Sequence, residues 1–351
     1  MDTGQKDVNG GTGLMDTGRK DANGGTDLMD TGRKDETGSD GPRGAGAERA
    51  EDADLMKACR LCPRNCGADR SAGRTGACGV TAEIRVGRAA LHMWEEPCIS
   101  GKQGSGTVFF AGCSLGCVYC QNAELSGARA GKIISAERLA EIFLELQEKG
   151  AANINLVTAS HYIPQTAESL TRARRAGLTI PAVFNCSGYE KPESLRLLEG
   201  KVDVYLTDFK YMDSRAALRY SGAADYPERA KEALAEMVRQ QPSPKFDGQG
   251  MMQKGVIVRH LLLPGLVENG KQTVRYVYET YGDQVFLSLM NQYTPFERLR
   301  ENYPELCRKV TRREYDALVD YAVSLGVENG FIQEGGTAEE SFIPSFDGEG
   351  V

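Results

Sequence analysis

Histidine and tryptophan are scarce in this chain, and several larger features are missing altogether. The 351 residues include three histidines and one tryptophan, so few side chains titrate near neutral pH. No apolar run reaches the roughly 18–20 residues that span a bilayer. The formal net charge is -7, which argues against nonspecific binding to nucleic acid or to an anionic membrane. We therefore expect neither a nucleic-acid partner nor a membrane partner.

The N-terminal residues are polar and glycine-rich, without the apolar core of a secretory signal peptide. The chain nevertheless contains ten cysteines. Without an export signal, so many cysteines indicate a reducing compartment, where clustered thiols bind metals more often than they pair as disulfides. The expected location is the cytoplasm.

Composition divides the chain into three predicted regions. Residues 1–54 repeat a 14-residue unit, first seen as MDTGQKDVNGGTGL, that is too poor in apolar residues to fold alone. Because the repeats lack the ligand spacing of a calcium loop, we predict a disordered tail rather than a calcium site. Residues 55–103 form a cysteine-rich segment predicted to bind metal, and residues 104–351 form a larger domain.

Six short apolar runs alternate with amphipathic segments in this larger domain. They are rich in β-branched and aromatic residues, as expected for parallel strands that are covered on both faces. The runs are TVFFAG (107–112), INLVT (154–158), IPAVFN (180–185), VDVYLTDF (202–209), GVIVRHLLL (255–263) and VFLSLM (285–290).

Helices are predicted between these strands. Ser135 is a candidate N-cap, and Thr311 with Glu314 has the spacing of a capping box. Further helices are predicted near 165–176, 192–199, 227–240 and 270–281. Six βα units are too few for a closed eight-stranded barrel, so we predict an α/β fold with an open, partial parallel (βα)6 barrel of TIM type. Its functional residues should lie beyond the C-terminal ends of the strands.

The most informative segment is CSLGCVYC, which places Cys113, Cys117 and Cys120 within eight positions directly after the first predicted strand. Its glycines and polar neighbours are unlike a strand interior, so three unrelated buried thiols are a poor explanation. A closed zinc site would need a fourth ligand. Three thiolates on a four-iron cluster would instead leave one iron without a protein ligand.

This segment resembles the CxxxCxφC signature of the radical S-adenosylmethionine (SAM) superfamily, with Tyr119 as the aromatic residue of the motif and so as a cofactor-site residue. The resemblance implies a [4Fe-4S] cluster on Cys113, Cys117 and Cys120, with SAM on the open iron. It also implies reductive cleavage of SAM to a 5′-deoxyadenosyl radical that abstracts hydrogen from a substrate. Flavodoxin or ferredoxin is the implied reductant.

Other segments resemble the activases of glycyl-radical enzymes. These segments are NCSGY (185–189), DFK (208–210), RH (259–260) and LPG (263–265). From about Leu55 onward the chain is similar to an uncharacterised group that is related to pyruvate formate-lyase activating enzyme. That similarity extends to the upstream cysteines and to EEPCISG (95–101) and MNQYTP (290–295).

The resemblance implies roles for four residues at the predicted strand ends. Lys210 would pair with the SAM carboxylate, Asp208 would orient that lysine or the SAM amino group, and Asn185 would reach the ribose or the amino acid part. Arg259 is a second candidate for a carboxylate of the cofactor or substrate. An ordinary ion pair is the alternative for Asp208 and Lys210. Where many members carry Gly-Gly-Glu for the amino group, this chain has TASH (158–161), and the replacement stays open.

Four upstream cysteines predict a second metal site. They form a closed set of thiolates that suits structural zinc or a fully ligated iron–sulfur cluster, and the sequence does not separate the two metals. These cysteines are Cys59, Cys62, Cys66 and Cys78. An iron–sulfur cluster there would be able to relay electrons to the SAM cluster. Cys98 is an alternative ligand, whereas Cys186 and Cys307 are predicted to be packed thiols.

None of the histidines is predicted to be catalytic, and the sequence leaves catalytic residues unassigned. His260 is expected in the core, His161 is a candidate contact for SAM or substrate, and His92 fits either description. Three functions remain: a radical SAM enzyme that activates a protein, a radical SAM enzyme for a small molecule or another macromolecule, and a non-catalytic iron–sulfur or zinc protein. The charged strand ends disfavour the last, because an electron carrier needs no cofactor pocket.

Overall fold

The computed structural model describes residues 55–333 and 345–351, which belong to one compact unit. The repeats predicted to be a disordered tail, residues 1–54, lie outside the described residues. The strands are β1 Ile84–His92, β2 Ser105–Phe110, β3 Lys132–Ile134, β4 Ile154–Val157, β5 Ala182–Cys186, β6 Val204–Asp208, β7 Lys245–Phe246, β8 Met252–Leu261, β9 Phe286–Met290 and β10 Gly330–Ile332.

The helices alternate with these strands along the chain. They are α1 Pro97–Ser100, α2 Ala123–Ser126, α3 Ala136–Glu148, α4 Ile163–Arg175, α5 Pro192–Leu195, α6 Ser214–Ser221, α7 Tyr226–Gln240, α8 Val267–Tyr281 and α9 Arg312–Ser324. No helix in the described ranges is both long and apolar enough to cross a membrane.

The main sheet has the strand order β10-β9-β8-β6-β5-β4-β2-β1-β3, with β7 paired to β8. Its parallel part, from β2 through β9, contains all six strands predicted from the apolar runs. At one edge β10 adds a further parallel strand, and at the other β1 and β3 pair antiparallel. The fold is thus the predicted α/β architecture, an open and mostly parallel partial barrel.

The predicted helix starts are confirmed by their hydrogen bonds. Ser135 accepts from the backbone N–H of Arg138 at the start of α3. Thr311 and Glu314 form the capping box that opens α9. These side chains satisfy backbone N–H groups that a helix leaves unpaired in its first turn. Seven elements were not predicted: α1, α2, α6, β1, β3, β7 and β10. All but β1 have eight residues or fewer, and the sequence of β1 gives no clear period.

Polar residues collect on the inner face of the parallel sheet. Asp208 and Arg259 are paired across β6 and β8, and residues in register on parallel strands point to the same face. The same alternation places Asn155 and Asn185 on this face. Below them the face is apolar and packs against Ile99 of α1. The inner face therefore has an apolar base and a polar C-terminal edge.

Gly188, just after β5, is expected to be sensitive to any side chain. It has φ +78°, and an added Cβ would overlap the carbonyl oxygen of Asp208 and lie 2.7 Å from the Tyr226 hydroxyl oxygen. Gly200 has a similar φ of +72° but open space around it. Left-handed backbone alone costs about 1–2 kcal/mol for alanine. We expect Gly188→Ala to lower the free energy of unfolding by about 1–3 kcal/mol more than Gly200→Ala, because of overpacking.

Denaturant unfolding of both variants measures this difference. Equal losses in the two variants would contradict the close approach of Gly188 to the Asp208 backbone.

Candidate functional site

The loop that carries the three central cysteines leaves β2 at the C-terminal edge of the parallel sheet. Gly112, with φ +90°, starts the turn, and a Cβ there would lie 2.8 Å from the Cys78 carbonyl oxygen. The Cys113 backbone N–H donates to that same carbonyl at 3.1 Å. Gly116, with φ +67°, makes the second turn in open space. Glycine is favoured at both turns because other residues rarely adopt this backbone conformation.

The thiols of Cys113, Cys117 and Cys120 are half-buried and close enough to influence one another. Burial, followed by the neighbouring thiols of Cys117 and Cys120, raises the pKa of Cys113 to about 12. The pKa of Cys120 is also raised, by burial and by Cys117. Three adjacent thiolates are therefore disfavoured without a compensating cation. A positively charged metal group would relieve that penalty, so this donor set fits a thiolate-ligated cluster.

A network of charged side chains lies at the adjoining strand ends. Lys210 Nζ lies 2.5 Å from Asp208 Oδ2, and Arg259 Nε donates to Asp208 Oδ1 at 2.9 Å. Arg259 also donates to Asn185 Oδ1 at 2.6 Å and to Glu95 Oε2 at 3.2 Å. The structure thus joins all four predicted strand-end residues in one hydrogen-bonded network, to which it adds Glu95.

Electrostatics in this network favour ionised groups at Asp208 and Lys210. Burial alone would raise the pKa of Asp208, but the charges of Arg259 and Lys210 outweigh it and lower that pKa. Burial would likewise lower the pKa of Lys210, but Asp208 and then the Cys117 thiol raise it. The Lys210 charge also acts on Cys120. Lys210 is therefore the electrostatic link between the strand-end network and the cysteine loop.

Glu95 is a network member that the sequence did not assign. It comes from the segment between β1 and α1, and its Oε1 accepts from Asn155 at 2.9 Å and from Asn185 at 3.4 Å. Burial raises the pKa of Glu95, against the opposing charge of Arg259. The neighbouring Glu96 is buried too, and its Oε2 has no hydrogen-bond partner among the described protein atoms. The motif EEPCISG was visible in the sequence, but nothing local indicated that it enters the inner face.

Tyr119, the aromatic residue of the cysteine motif and a predicted cofactor-site residue, has a buried side chain. Its hydroxyl lies 2.7 Å from the hydroxyl of Tyr211, and its ring meets Tyr293 edge-on. The structure therefore places the Tyr119 side chain in the core beneath the cysteine loop.

In the described residues, none of the three histidines is hydrogen-bonded to this network. His260 is buried and bonds to the Phe209 carbonyl at 2.8 Å, as predicted for a core histidine, and burial lowers its pKa to about 4. His161 is 2% exposed, bonds to the Ala111 carbonyl at 2.7 Å, and has its pKa lowered to about 3, first by burial. Burial also lowers the pKa of His92, whose ring meets Phe109 edge-on. His161 is thus a packed residue instead of an accessible contact.

The TASH segment, which stands in place of Gly-Gly-Glu, contains no acidic residue. Ser160 donates to Glu190 Oε1 at 2.7 Å, and both side chains are buried. Burial raises the pKa of Glu190. Glu95, in contrast, lies on the inner face, where it contacts Asn185 and Arg259.

The four upstream cysteines are gathered around one buried arginine. Electrostatic interactions link the thiols of Cys59, Cys62, Cys66 and Cys78. Arg70 is 1% exposed, and its guanidinium donates to the backbone carbonyls of Val80, Thr81 and His161 and to the Cys59 sulfur at 3.7 Å. A buried cation is costly without a negative partner. Metal-bound thiolates would supply that negative charge, so the donor set and its surroundings fit a metal site.

This segment contacts the central cysteine loop directly. Arg64 donates to the carbonyls of Ser114 and Leu115 in the loop, at 2.9 Å and 3.1 Å, and to that of Ser221 at the end of α6, at 2.8 Å. The Cys78–Cys113 backbone bond is a second connection. In the described part of the chain, no three His, Cys, Asp or Glu side chains are placed to hold one single metal ion. The ligand sets of both cysteine groups stay predictions.

The remaining cysteines are packed into the fold. Cys186 is buried, with its sulfur 3.5 Å from Thr207 Oγ1, as predicted for a packed thiol. Cys307 is half-buried. Cys98, the alternative metal ligand, is buried among apolar residues at the base of the inner face.

Comparison with known proteins relates the central part of the chain to a known family. Residues 107–276, which run from β2 into α8, match the Radical SAM superfamily. The chain is 27% identical over 276 residues to the uncharacterised protein MJ0674 of Methanocaldococcus jannaschii, covering 77% of this chain and 75% of that protein.

Solved structures that resemble this chain do so at lower sequence identity. A domain of pyruvate-formate lyase-activating enzyme from Bacteroides vulgatus is 12% identical, with a TM-score of 0.35 over 49% of this chain and 92% of that one. SuiB from Streptococcus suis, bound to S-adenosylmethionine, is 14% identical, with a TM-score of 0.44 over 63% of this chain. The match spans 48% of SuiB.

Proposed function

We propose that this protein is a radical SAM enzyme in which Cys113, Cys117 and Cys120 hold a [4Fe-4S] cluster and the strand-end network binds SAM. The observation that carries the proposal is the position of Lys210, whose charge acts on two of the three thiols while it pairs with Asp208. The bound cluster would supply the electron that cleaves SAM reductively to a 5′-deoxyadenosyl radical for hydrogen abstraction. Flavodoxin or ferredoxin is the proposed reductant.

The amino acid part of SAM carries a carboxylate and an ammonium group, and the network offers both complements. Lys210 and Arg259 are cations suited to the carboxylate. Asp208 and Glu95 are carboxylates suited to the ammonium group. Glu95 is our candidate for the acidic contact that TASH does not provide. Asn185, held by Arg259 and Glu95, would contact the same ligand.

We further propose that Cys59, Cys62, Cys66 and Cys78 bind a metal, either zinc or a second iron–sulfur cluster. The buried Arg70 beside the Cys59 sulfur supports an anionic thiolate site in both cases. The bond from Cys113 to the Cys78 carbonyl would give an iron–sulfur cluster a short route to the central loop. Iron, sulfide and zinc analysis of protein lacking the three central cysteines separates the two metals.

The proposed reaction resembles that of pyruvate formate-lyase activating enzyme, with a protein as substrate. The segments NCSGY, DFK and LPG support this assignment, since they resemble the glycyl-radical-enzyme activases. The open sheet is compatible with a polypeptide loop as substrate. A stable organic radical on an added protein, detected by electron paramagnetic resonance (EPR), would support this specific role. Hydrogen transfer from a small molecule, without a protein radical, would replace it.

The first test is the formation of 5′-deoxyadenosine. Protein purified without oxygen and reconstituted with iron and sulfide should form this product from SAM when a strong reductant is added. Cys120→Ala should abolish the product, because it removes one of three cluster ligands. Cys307→Ala is the matched control and should retain it. A reduced, intact cluster that gives no 5′-deoxyadenosine would argue against the enzyme and for an electron carrier.

A further inference from the structure

Three buried hydroxyl groups form a chain that ends on the sulfur of Cys117. The hydroxyl oxygens of Tyr119 and Tyr211 lie 2.7 Å apart, and that of Tyr211 lies 2.9 Å from Ser221 Oγ. Ser221 Oγ in turn lies 3.1 Å from Cys117 Sγ. The three residues are at most 5% exposed, so bulk water does not compete for these bonds. We call Tyr119, Tyr211 and Ser221 the hydroxyl relay.

The direction of each hydrogen bond follows from the chemistry at its end. A metal-bound thiolate has no proton and only accepts, so Ser221 must donate its proton to Cys117. Ser221 Oγ then accepts from Tyr211, since its own proton is used. By the same reasoning, Tyr211 accepts from Tyr119. All three O–H dipoles therefore point toward the sulfur, and each bond polarises the next.

The backbone fixes the relay independently of its hydroxyl groups. The Val118 N–H donates to the Tyr220 carbonyl at 2.9 Å, which joins the cysteine loop to the end of α6. Arg64 donates to the carbonyls of Ser221 and Gly222 from the other side. Removal of the Ser221 hydroxyl therefore leaves the contacts that position α6 against Cys117.

We propose that the hydroxyl relay tunes the cluster held by Cys113, Cys117 and Cys120, by stabilising negative charge on the Cys117 sulfur and thereby raising the reduction potential. This inference rests on the proposed function, since it requires that cluster. Reduction adds one negative charge, part of which lies on the ligating sulfurs. A hydrogen bond to sulfur therefore stabilises the reduced form more than the oxidised form, and such bonds help to set iron–sulfur potentials. Ser221 is a positioning residue with no contact to substrate in this scheme.

A graded series of variants tests the relay. Ser221→Ala removes the bond to sulfur, Tyr211→Phe leaves Ser221 without its donor, and Tyr119→Phe removes the most distant hydroxyl. We expect the midpoint potential to become more negative in all three, most for Ser221→Ala and least for Tyr119→Phe. Ser221→Thr retains a hydroxyl and should stay close to the unmodified protein. The potential is measured by EPR-monitored redox titration of the anaerobically reconstituted protein without SAM.

Tyr293→Phe is the matched control. Tyr293 is 1% exposed and contacts the Tyr119 ring, but its hydroxyl donates to the Leu306 carbonyl at 2.7 Å, outside the relay. Its removal should leave the potential unchanged. A shift in this control as large as that in Tyr211→Phe would assign the effect to packing and overturn the proposal.

Iron content is measured beside each titration. If Ser221→Ala loses iron, the midpoint potentials of Tyr211→Phe, Tyr119→Phe and Ser221→Thr still test the proposal. These three variants keep a Ser or Thr hydroxyl oxygen beside Cys117. Unchanged or more positive potentials in the iron-loaded variants overturn the inference. Protein that cleaves SAM but shows no such shift would refute the relay alone, whereas protein that binds no cluster would refute the proposed function.

Discussion

Arg259→Met is expected to lower the free energy of unfolding by about 3–5 kcal/mol at neutral pH, the usual cost of removing one partner from a buried ion pair. The Arg259 side chain is 12% exposed and bonds to Asp208, Glu95 and Asn185. Methionine fills similar space, so the cavity is small and the loss is mainly electrostatic. The variant leaves two carboxylates near each other with Lys210 as the remaining cation in contact with Asp208.

The size of this loss should depend on pH, with a defined sign. Burial raises the pKa of Glu95 against the opposing charge of Arg259, so removal of Arg259 raises that pKa further. An acid with a raised pKa in the folded state contributes stability below its unfolded pKa and loses it as pH rises through the folded value. Asp208, with its lowered pKa, contributes stability at higher pH that is lost on acidification of the unmodified protein. Both effects make the loss of unfolding free energy in Arg259→Met largest at neutral pH.

Urea unfolding at pH 7 and at pH 5 measures this difference. Arg138→Met is the matched control, because Arg138 is a surface residue of α3 that pairs with Glu141 and Glu145. Exposed pairs contribute about 0–1 kcal/mol, so this variant should change little. A loss below 1 kcal/mol for Arg259→Met at pH 7, or a loss that grows toward pH 5, would contradict a buried network that depends on Arg259.

The sequence predicted the parts of this architecture that local patterns determine. The six apolar runs are long enough to stand out as parallel strands, and the capping residues Ser135 and Thr311 mark helix starts by their own hydrogen bonds. Asp208 and Arg259 follow from the same logic, because C-terminal ends of parallel strands meet at one edge. Asp208 and Arg259 are in register on β6 and β8, which confirms that expectation.

Residues that reach the site from irregular or short segments were not predictable in this way. Glu95 lies 164 residues from Arg259 in the chain and follows β1, an antiparallel strand with no clear period. Ser221 ends α6, which is only eight residues long. Arg70 lies in a turn-rich segment, where nothing local distinguishes it from an exposed arginine. Long-range contacts decide the roles of all three, and a single sequence carries no direct record of them.

Arg70→Met should destabilise the metal-loaded protein by about 3–5 kcal/mol, because it removes a buried cation beside an anionic thiolate site. The prediction rests on the proposed metal at Cys59, Cys62, Cys66 and Cys78. In the loaded protein, the guanidinium would stabilise the thiolates, with its Nη1 already 3.7 Å from the Cys59 sulfur. It also satisfies the carbonyls of Val80, Thr81 and His161, and these bonds are lost in either state.

Comparison of the loaded and metal-free proteins isolates the electrostatic part of this loss. Without metal, burial raises the pKa of the Cys62 thiol to about 11 and also raises that of Cys78, whereas at Cys66 backbone hydrogen bonds and the charge of Arg70 outweigh burial and lower the pKa. The metal-free thiols therefore offer Arg70 less countercharge than four metal-bound thiolates would. We therefore expect Arg70→Met to cost at least about 1.5 kcal/mol less in the metal-free protein, the lower end for a hydrogen bond to a charged group.

This comparison needs four unfolding curves, for the unmodified protein and for Arg70→Met, each with and without metal. Arg74→Met, in the same segment, is the matched control and should show no dependence on metal. A larger loss for Arg70→Met in the loaded protein, accompanied by weaker metal retention, would mean that the buried guanidinium and the thiolate site stabilise each other. Equal losses in both states would mean that Arg70 acts only through its carbonyl bonds, and the argument from its buried charge to a metal at the four cysteines would fail.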